Sequence, residues 1–256
     1  MSPVSWSQTV LLVAAGILGG LTGSIAGLAS VATYPALLAV GLPPVAANVT
    51  NTAALVFNGI GSVWGSRPEL IGQGRRLARA VPFAVLGGVA GAALLLSTPA
   101  EGFERAVPLL LGVASVAILL PVRAPSGAHR GRRRRLLGLL AETTAVAAIC
   151  IYGGYFGAAA GVLLLALLLR SGATTLAHAN AAKNVVLGAA NCSAAVVFAI
   201  VAPVQWAAVA ALGVGCLAGS RLGPVVVRHA PAGPMRAAIG LAGLVLAAML
   251  GWDAYR

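Results

Sequence analysis

Residues 19–27 read GGLTGSIAG, and residues 153–161 read GGYFGAAAG, so the same spacing of glycines returns 134 positions later (153 minus 19). Each copy precedes a short apolar run, over residues 28–40 in the first case and 162–169 in the second. Carriers often bind their substrate between two repeats of a hydrophobic unit that glycine interrupts. The duplication therefore predicts two related halves and directs attention to transport.

The composition predicts an all-α polytopic membrane protein. Hydrophobic residues make up 59% of the 256 positions, charged residues 9%, and the mean hydropathy is +0.96. Most of the chain must therefore contact the lipid bilayer or other parts of itself. The net charge of +12 would suggest nucleic acid in a soluble protein, but aromatic residues are only 5% and the basic residues flank hydrophobic segments. We expect no nucleic-acid partner, because such flanking charge is typical of membrane proteins.

The hydrophobic segments divide the chain into a first membrane repeat at 1–122, a basic cytoplasmic loop at 123–135 and a second membrane repeat at 136–256. The first two segments of each half are shorter than the roughly 20 residues that a crossing needs. We expect each pair to form a re-entrant hairpin or a broken helix, followed by three spanning helices. The predicted segments are 8–22, 28–40, 45–65, 78–97 and 104–121, then 136–151, 158–169, 174–200, 204–221 and 236–252.

The distribution of charge favours an inverted relation between the halves, with both termini outside. In that arrangement Arg105 and Arg256 are outside and Lys183 is in the membrane, so the other 14 of the 17 basic residues are cytoplasmic. Eight full crossings in a parallel arrangement would leave eleven inside against five outside. Because basic residues accumulate on the cytoplasmic side, the inverted arrangement is the prediction.

The glycine-rich breaks supply the first candidates for a substrate site. A helix that begins within the membrane presents free N–H groups and the positive end of its dipole, which attract an anion. The candidate starts lie at residues 27–30 and 158–161, where small side chains allow a ligand to approach the backbone. The candidate residues there are Gly27, Ser30, Gly157 and Gly161. The alternative is that these glycines only allow helices to pack closely.

Polar residues in the segments that follow complete the candidate site. Asn48 and Asn51 are three positions apart, and Asn180 and Asn184 are four apart, so each pair shares one face of a helix. These amides either donate to an anion or bridge helices. Thr52 is a further candidate, although its hydroxyl and that of Thr50 alternatively bond to the preceding helical turn.

Lys183 is the only lysine of the chain and lies in the middle of a hydrophobic segment, where an unpaired charge is costly. Three hypotheses account for it: attraction of an anionic substrate, a salt bridge with Glu142, or extension of the side chain to the membrane interface. Asn58 and Asn191 are interpreted as bridges between helices. His178 would titrate in a proton-coupled cycle, or it anchors the helix at the interface.

The sequence lacks the residues that catalysis or cofactor binding would need. It contains no paired carboxylates within the membrane and no H-E-x-x-H or G-x-S-x-G motif. Cys150, Cys192 and Cys216 lie in apolar runs without the spacing of a metal site. We therefore expect no enzyme activity, no catalytic residue, no metal and no cofactor.

Two stretches resemble the sulfite exporter TauE/SafE family. Residues 152–165, YGGYFGAAAGVLLL, followed by 179–185, ANAAKNV, are similar to its second-half signature, and residues 19–52 are similar to its opening repeat. The chain departs from the family at residues 28–30, Leu-Ala-Ser, where further glycines are usual. The resemblance implies a multi-pass carrier of the bacterial inner membrane for small anions, often sulfur oxyanions or organosulfonates.

Together, the residues and the resemblance predict a secondary transporter that moves a small anion by alternating access. The alternatives are a passive anion channel and a membrane assembly factor that transports nothing. Paired broken segments favour a carrier over a continuous pore. The sequence is compatible with coupling of transport to protons. It is also compatible with either a monomeric or an oligomeric state.

Overall fold

The computed structural model describes residues 5–99, 132–157, 160–171 and 175–229, with scattered helical positions between 101 and 119 and between 234 and 252. Every element in this described part is a helix. The predicted segments 104–121 and 236–252 and residues 123–131 of the basic loop lie largely outside it. The helices are α1 (Trp6–Ala26), α2 (Ala29–Ala39), α3 (Pro44–Gly65), α4 (Arg67–Leu70), α5 (Gly74–Ser97), α6 (Arg132–Tyr155), α7 (Ala160–Arg170), α8 (Leu176–Val201) and α9 (Trp206–His229).

The first glycine-rich break separates α1 from the short helix α2. A capping box between Ser5 and Gln8 starts α1, and Gly27 ends it in the left-handed conformation at φ 79°, with its N–H donating to the Gly23 carbonyl. The chain then reverses its direction. The far ends of α1 and α2 lie together, as the hydrogen bond from Gln8 Nε2 to the Val40 carbonyl at 3.5 Å shows. The two helices form a hairpin, which we call hairpin 1.

The second break forms a similar turn between α6 and α7. Gly157 has a φ of 75° and follows the last turn of α6, where its N–H donates to the Tyr152 carbonyl at 3.2 Å. The far ends are again joined, since Arg76 bridges Glu142 of α6 and Ser171 at the end of α7. We call this pair hairpin 2.

Close contacts between glycines set the relative directions of the long helices. α1, α3 and α9 run in one direction, while α5, α6 and α8 run in the other. The contacts that define the first set join Gly16 to Gly215, Gly20 to Ser220, Gly61 to Ser220 and Gly65 to Pro224. Those that define the second set join Gly87 to Cys150, Gly91 to Tyr155, Gln73 to His178 and Val85 to Ser193. The opposed helices α3 and α8 touch through Gly59 and Gly188 and through Ser66 and Asn184.

One end of the molecule is rich in arginine, and we call it the arginine end. There α3, α7 and α9 finish while α5, α6 and α8 begin. Glu69 of α4 accepts two hydrogen bonds from Arg228, at 2.5 Å from Nε and 2.8 Å from Nη2. Arg221 stacks on the ring of Trp64 at 4.2 Å from its centroid. The arginines whose side chains gather at this end are Arg67, Arg75, Arg76, Arg79, Arg221 and Arg228.

Four helices of the described part are long and apolar enough to cross a membrane: α1, α5, α8 and α9. The prediction that the opening segment is too short to cross is wrong for α1, which has 21 residues because the Ser5 cap and the Gly27 cap lie outside the predicted 8–22. α6 likewise has 24 residues and begins at Arg132, inside the predicted loop. The short helices α2 and α7 have 11 residues each, as their predicted segments indicated.

Candidate functional site

The tips of the two hairpins meet in the interior of the helix bundle. A methyl group at Gly27 would collide with the Cα atom of Gly161, and the reverse also holds. The ring of Phe156, in the turn of hairpin 2, packs edge-on against Tyr34 of α2 at a centroid distance of 5.7 Å. Glycine is required at the crossing because no side chain fits between the two backbones.

A small cavity lies beside this crossing, between the hairpin tips and the middle of α3 and α8. Its volume is about 30 Å³, which is the share of one water molecule in the liquid. Every described residue that lines it is uncharged. The polar lining consists of Ser30, Asn58, Ser62, Asn184 and Asn191, and the glycines are Gly23, Gly27, Gly59, Gly153, Gly157 and Gly188.

The positive ends of two helix dipoles point toward this cavity. α2 begins at Ala29 without a side-chain cap, and α7 begins at Ala160; both residues line the cavity, as does Ser30 in the first turn of α2. The N–H groups in the first turn of a helix have no partner within the helix. The geometry therefore brings two partially positive backbone ends to one small polar space.

Four of the predicted site residues line the cavity, and six do not. Gly27, Ser30, Gly157 and Asn184 are part of its wall. The remaining six lie outside the lining: Asn48, Asn51, Thr52, Gly161, Asn180 and Lys183. All of them except Thr52 contact one of the hairpins.

Lys183 is fully buried and caps the end of α1. Its Nζ atom donates to the Gly23 carbonyl at 3.0 Å and to the Ser24 carbonyl at 3.2 Å. These carbonyls belong to the last turn of a helix, where a cation interacts favourably with the dipole. The interface hypothesis is wrong because the side chain is 0% exposed. The salt-bridge hypothesis is also wrong, because Glu142 pairs with Arg76 at 3.0 Å.

Two asparagines join each hairpin to the opposite half of the chain. Asn48 of α3 donates to the Tyr155 carbonyl of hairpin 2 at 2.9 Å, and Asn180 of α8 donates to the Ser24 carbonyl of hairpin 1 at 2.9 Å. The two asparagines are 132 positions apart (180 minus 48), and each donates to the hairpin of the other half. Both acceptors lie in the last turn of a helix, where carbonyls have no partner within the helix.

Asn51 fixes the start of α2. Its Nδ2 atom donates to Ser30 Oγ at 3.0 Å, and its Oδ1 atom accepts from Thr33 Oγ1 at 2.6 Å. Thr52 instead bonds to the Asn48 carbonyl in the preceding turn at 3.0 Å, as its alternative interpretation stated. Thr33 was not among the predicted residues, because one threonine in an apolar segment carries no distinctive signal.

Asn58 and Asn191, interpreted from the sequence as bridges between helices, also face the cavity. Both line it, and the Oδ1 atom of Asn58 is buried without a hydrogen-bond partner in the described part of the chain. They are 133 positions apart (191 minus 58), close to the offset of the other repeated residues. That offset is a sequence signal that could have identified them as a pair.

Comparisons with known proteins relate the chain to membrane transporters. A family model described as "Sulfite exporter TauE/SafE" matches residues 12–250. The "Probable membrane transporter protein YfcA" of Escherichia coli strain K12 is 27% identical over 241 residues, covering 93% of this chain and 88% of that protein. The "Probable membrane transporter protein ORF9" of a Sinorhizobium species is 25% identical over 230 residues, covering 87% and 84%. No solved structure shows significant similarity to the chain.

Proposed function

The chain belongs to the sulfite exporter TauE/SafE family of membrane transporters, and from this premise we propose that it carries a small anion by alternating access across the bacterial inner membrane. The favoured substrates are sulfur oxyanions, organosulfonates and small organic acids. The cavity between the hairpin tips is the proposed substrate site.

The observation that carries the proposal is the convergence of two helix starts on a cavity lined by amides and hydroxyls. Backbone N–H groups of α2 and α7 donate to oxyanions, and the Asn58, Asn184 and Asn191 amides add side-chain donors once they rotate toward the ligand. The ammonium of Lys183 lies behind the wall, bonded to the carbonyl of Gly23, which lines the cavity. Its positive charge raises the potential of the site without contacting the anion.

The volume of the cavity supports a closed state. A space of about 30 Å³ holds roughly one water molecule, so it must widen before an anion with several heavy atoms enters. The proposed opening movement is a separation of the two hairpins, because the tips of both hairpins line the cavity. The opposite directions of α1 and α6 support an inverted repeat, in which each hairpin opens toward a different face of the membrane.

Counterflow in liposomes tests the proposal. Purified protein would be reconstituted, loaded with unlabelled sulfite, thiosulfate, a sulfonate or a small carboxylate, and assayed for uptake of the labelled anion. We expect saturable uptake for at least one anion. Flux that does not saturate would indicate a channel, and absence of flux for the whole panel would argue for a protein that transports none of these anions.

A pair of variants on α3 links the activity to the cavity. Asn58→Leu fills the cavity with an apolar side chain and should reduce counterflow at least about tenfold, since a charge-assisted hydrogen bond contributes roughly 1.5–3 kcal/mol. Ile60→Leu changes an exposed side chain on the same helix and should leave counterflow unchanged. Equal activity of the two variants at equal protein content would place the substrate site elsewhere.

A further inference from the structure

A second, larger cavity lies at the arginine end, separate from the proposed substrate site. Its volume is about 430 Å³, and it shares no lining residue with the inner cavity. Four helices and the turn before α5 enclose it. Its polar lining comprises Arg75, Arg76, Arg79, Glu142, Thr143 and Ser171.

The charge of this cavity is not balanced within the described part of the chain. Three arginines line it against one carboxylate, that of Glu142. Arg76 is already engaged, because its Nη2 atom contacts Glu142 Oε1 at 3.0 Å, the Ser171 hydroxyl and the Leu168 carbonyl. Arg75 and Arg79 are exposed, and neither pairs with a carboxylate among the described residues. Two positive charges are therefore available to a ligand.

The spacing of these two arginines favours an anionic ligand. Arg75 and Arg79 are four positions apart on α5, so they are neighbours on one face of the helix and repel each other. An oxyanion between them removes this repulsion. The planar guanidinium group also donates two parallel hydrogen bonds to phosphate or sulfonate oxygens, which an ammonium does not.

Part of the cavity wall is apolar and buried. Val146, Leu168, Ala182 and Val186 line it and are buried, whereas Arg75 and Arg79 are exposed. The volume exceeds that of a bare tetrahedral oxyanion several-fold. The cavity begins at the first turns of α5, a helix long and apolar enough to span the membrane. A charged rim over an apolar wall at this level matches a phosphate or sulfonate group that carries an organic substituent.

We propose that this cavity is a second anion site, which binds a phosphate- or sulfonate-type oxyanion through Arg75 and Arg79, with Arg76 shared between the ligand and Glu142. The oxyanion is supplied either as a free anion or as the head group of an anionic lipid. The site does not depend on the function proposed for the inner cavity.

Two binding measurements on the full chain in a neutral detergent test the proposal and distinguish the two sources. Equilibrium binding of radiolabelled sulfate probes a free anion, and native mass spectrometry after addition of phosphatidylglycerol probes a lipid head group. The cavity variant is Arg75→Gln with Arg79→Gln. The matched control is Arg67→Gln with Arg221→Gln, which removes the same charge at the same end from residues outside the cavity.

We expect the wild type and the control to bind sulfate, phosphatidylglycerol or both, and the cavity variant to bind about tenfold more weakly, as expected for the loss of charge-assisted contacts. Asn58→Leu should bind phosphatidylglycerol as the wild type does, because the inner cavity of about 30 Å³ is too small for a lipid head group. Any sulfate bound at the inner cavity would instead be lost in Asn58→Leu and kept in the cavity variant. Size-exclusion profiles verify that each variant is folded. Binding of neither ligand, equal binding by the cavity variant and the control, or loss of binding only in Asn58→Leu would overturn the proposal.

Discussion

At the scale of single residues, Lys183 shows how a buried charge is accommodated without a carboxylate. Its ammonium donates to two carbonyls at the end of α1, where the helix has acceptors without partners inside the helix. Asn180, one turn earlier on α8, donates to the same Ser24 carbonyl. Lys183 and Asn180 therefore act on the end of hairpin 1 and only through it on the cavity.

Replacement of Lys183 by methionine should destabilise the protein. The carbonyls of Gly23 and Ser24 would lose a charged donor, and we expect the free energy of unfolding to fall by about 1–3 kcal/mol. Thermal unfolding of the purified variant measures this. Adding Glu142→Gln to this variant should lower the free energy of unfolding further and recover none of the loss. Glu142 contacts Arg76 and not Lys183, so the two effects should add. Recovery of stability in the double variant would mean that Lys183 and Glu142 interact after all.

At the scale of elements, the two hairpins are closed at their far ends by different chemistry. Gln8 and Glu142 are 134 positions apart, the same offset as the repeated glycines (142 minus 8). Gln8 binds the end of α2 directly through its neutral amide. Glu142 is connected to the end of α7 through Arg76. Salt should therefore weaken the closure of hairpin 2 more than that of hairpin 1.

The contact between the hairpin tips should tolerate no added side chain. In Gly161→Ala the new methyl group collides with the backbone of Gly27, and we expect a loss of about 1–3 kcal/mol or more, as for overpacked cores. Gly74→Ala is the matched control, because a methyl group there meets nothing within 4 Å. The yield of monodisperse protein and the thermal midpoint would be compared. Similar values for the two variants would show that the tips separate freely.

The contact between α4 and α9 should give a pH-dependent contribution to stability. Hydrogen bonds from Arg228 hold the pKa of Glu69 below its ordinary value of 4.5. A lowered pKa stabilises the fold at neutral pH, and this contribution disappears as the pH falls below about 4.5 and through the folded-state value. Glu69→Gln should therefore lower the thermal midpoint at pH 7, by an amount equivalent to up to about 1 kcal/mol for a pair that solvent reaches. The difference from the wild type should shrink in acid; a constant difference from pH 7 to pH 4 would contradict the assignment.

At the scale of the whole molecule, the repeated glycines correctly predicted the positions of the two breaks between helices. The contacts between the two halves of the chain could not be predicted from the sequence. Gly27 and Gly157 end their helices in the left-handed conformation, as local glycine chemistry dictates. The partner of Lys183 was not predictable, since it is a pair of backbone carbonyls some 160 residues away. The role of Asn58 likewise depends on packing between α3, α8 and both tips. Side-chain patterns identify buried polar residues but not their partners.

The arrangement of the arginines predicts the orientation in the membrane. With the three native cysteines replaced, Ile71→Cys places a thiol at the exposed turn of the arginine end, and Ser7→Cys places one at the start of α1. We expect an impermeant thiol reagent to label Ser7→Cys from outside and Ile71→Cys only from the cytoplasm, because basic residues are retained there. Labelling of both from the same side would contradict the orientation.

The interfaces between α1 and α9 and between α5 and α6 have a consequence for biogenesis. Each of these pairs takes one helix from either half of the chain, and glycines hold both pairs at close range. Neither half can bury its own glycine surfaces, so an N-terminal fragment should persist in the membrane only until the other fragment is inserted. Two separately translated fragments, cut within 123–131, should then complement each other and restore one folded unit. Insertion of the last helices is thus the step that commits the nascent chain to its final structure.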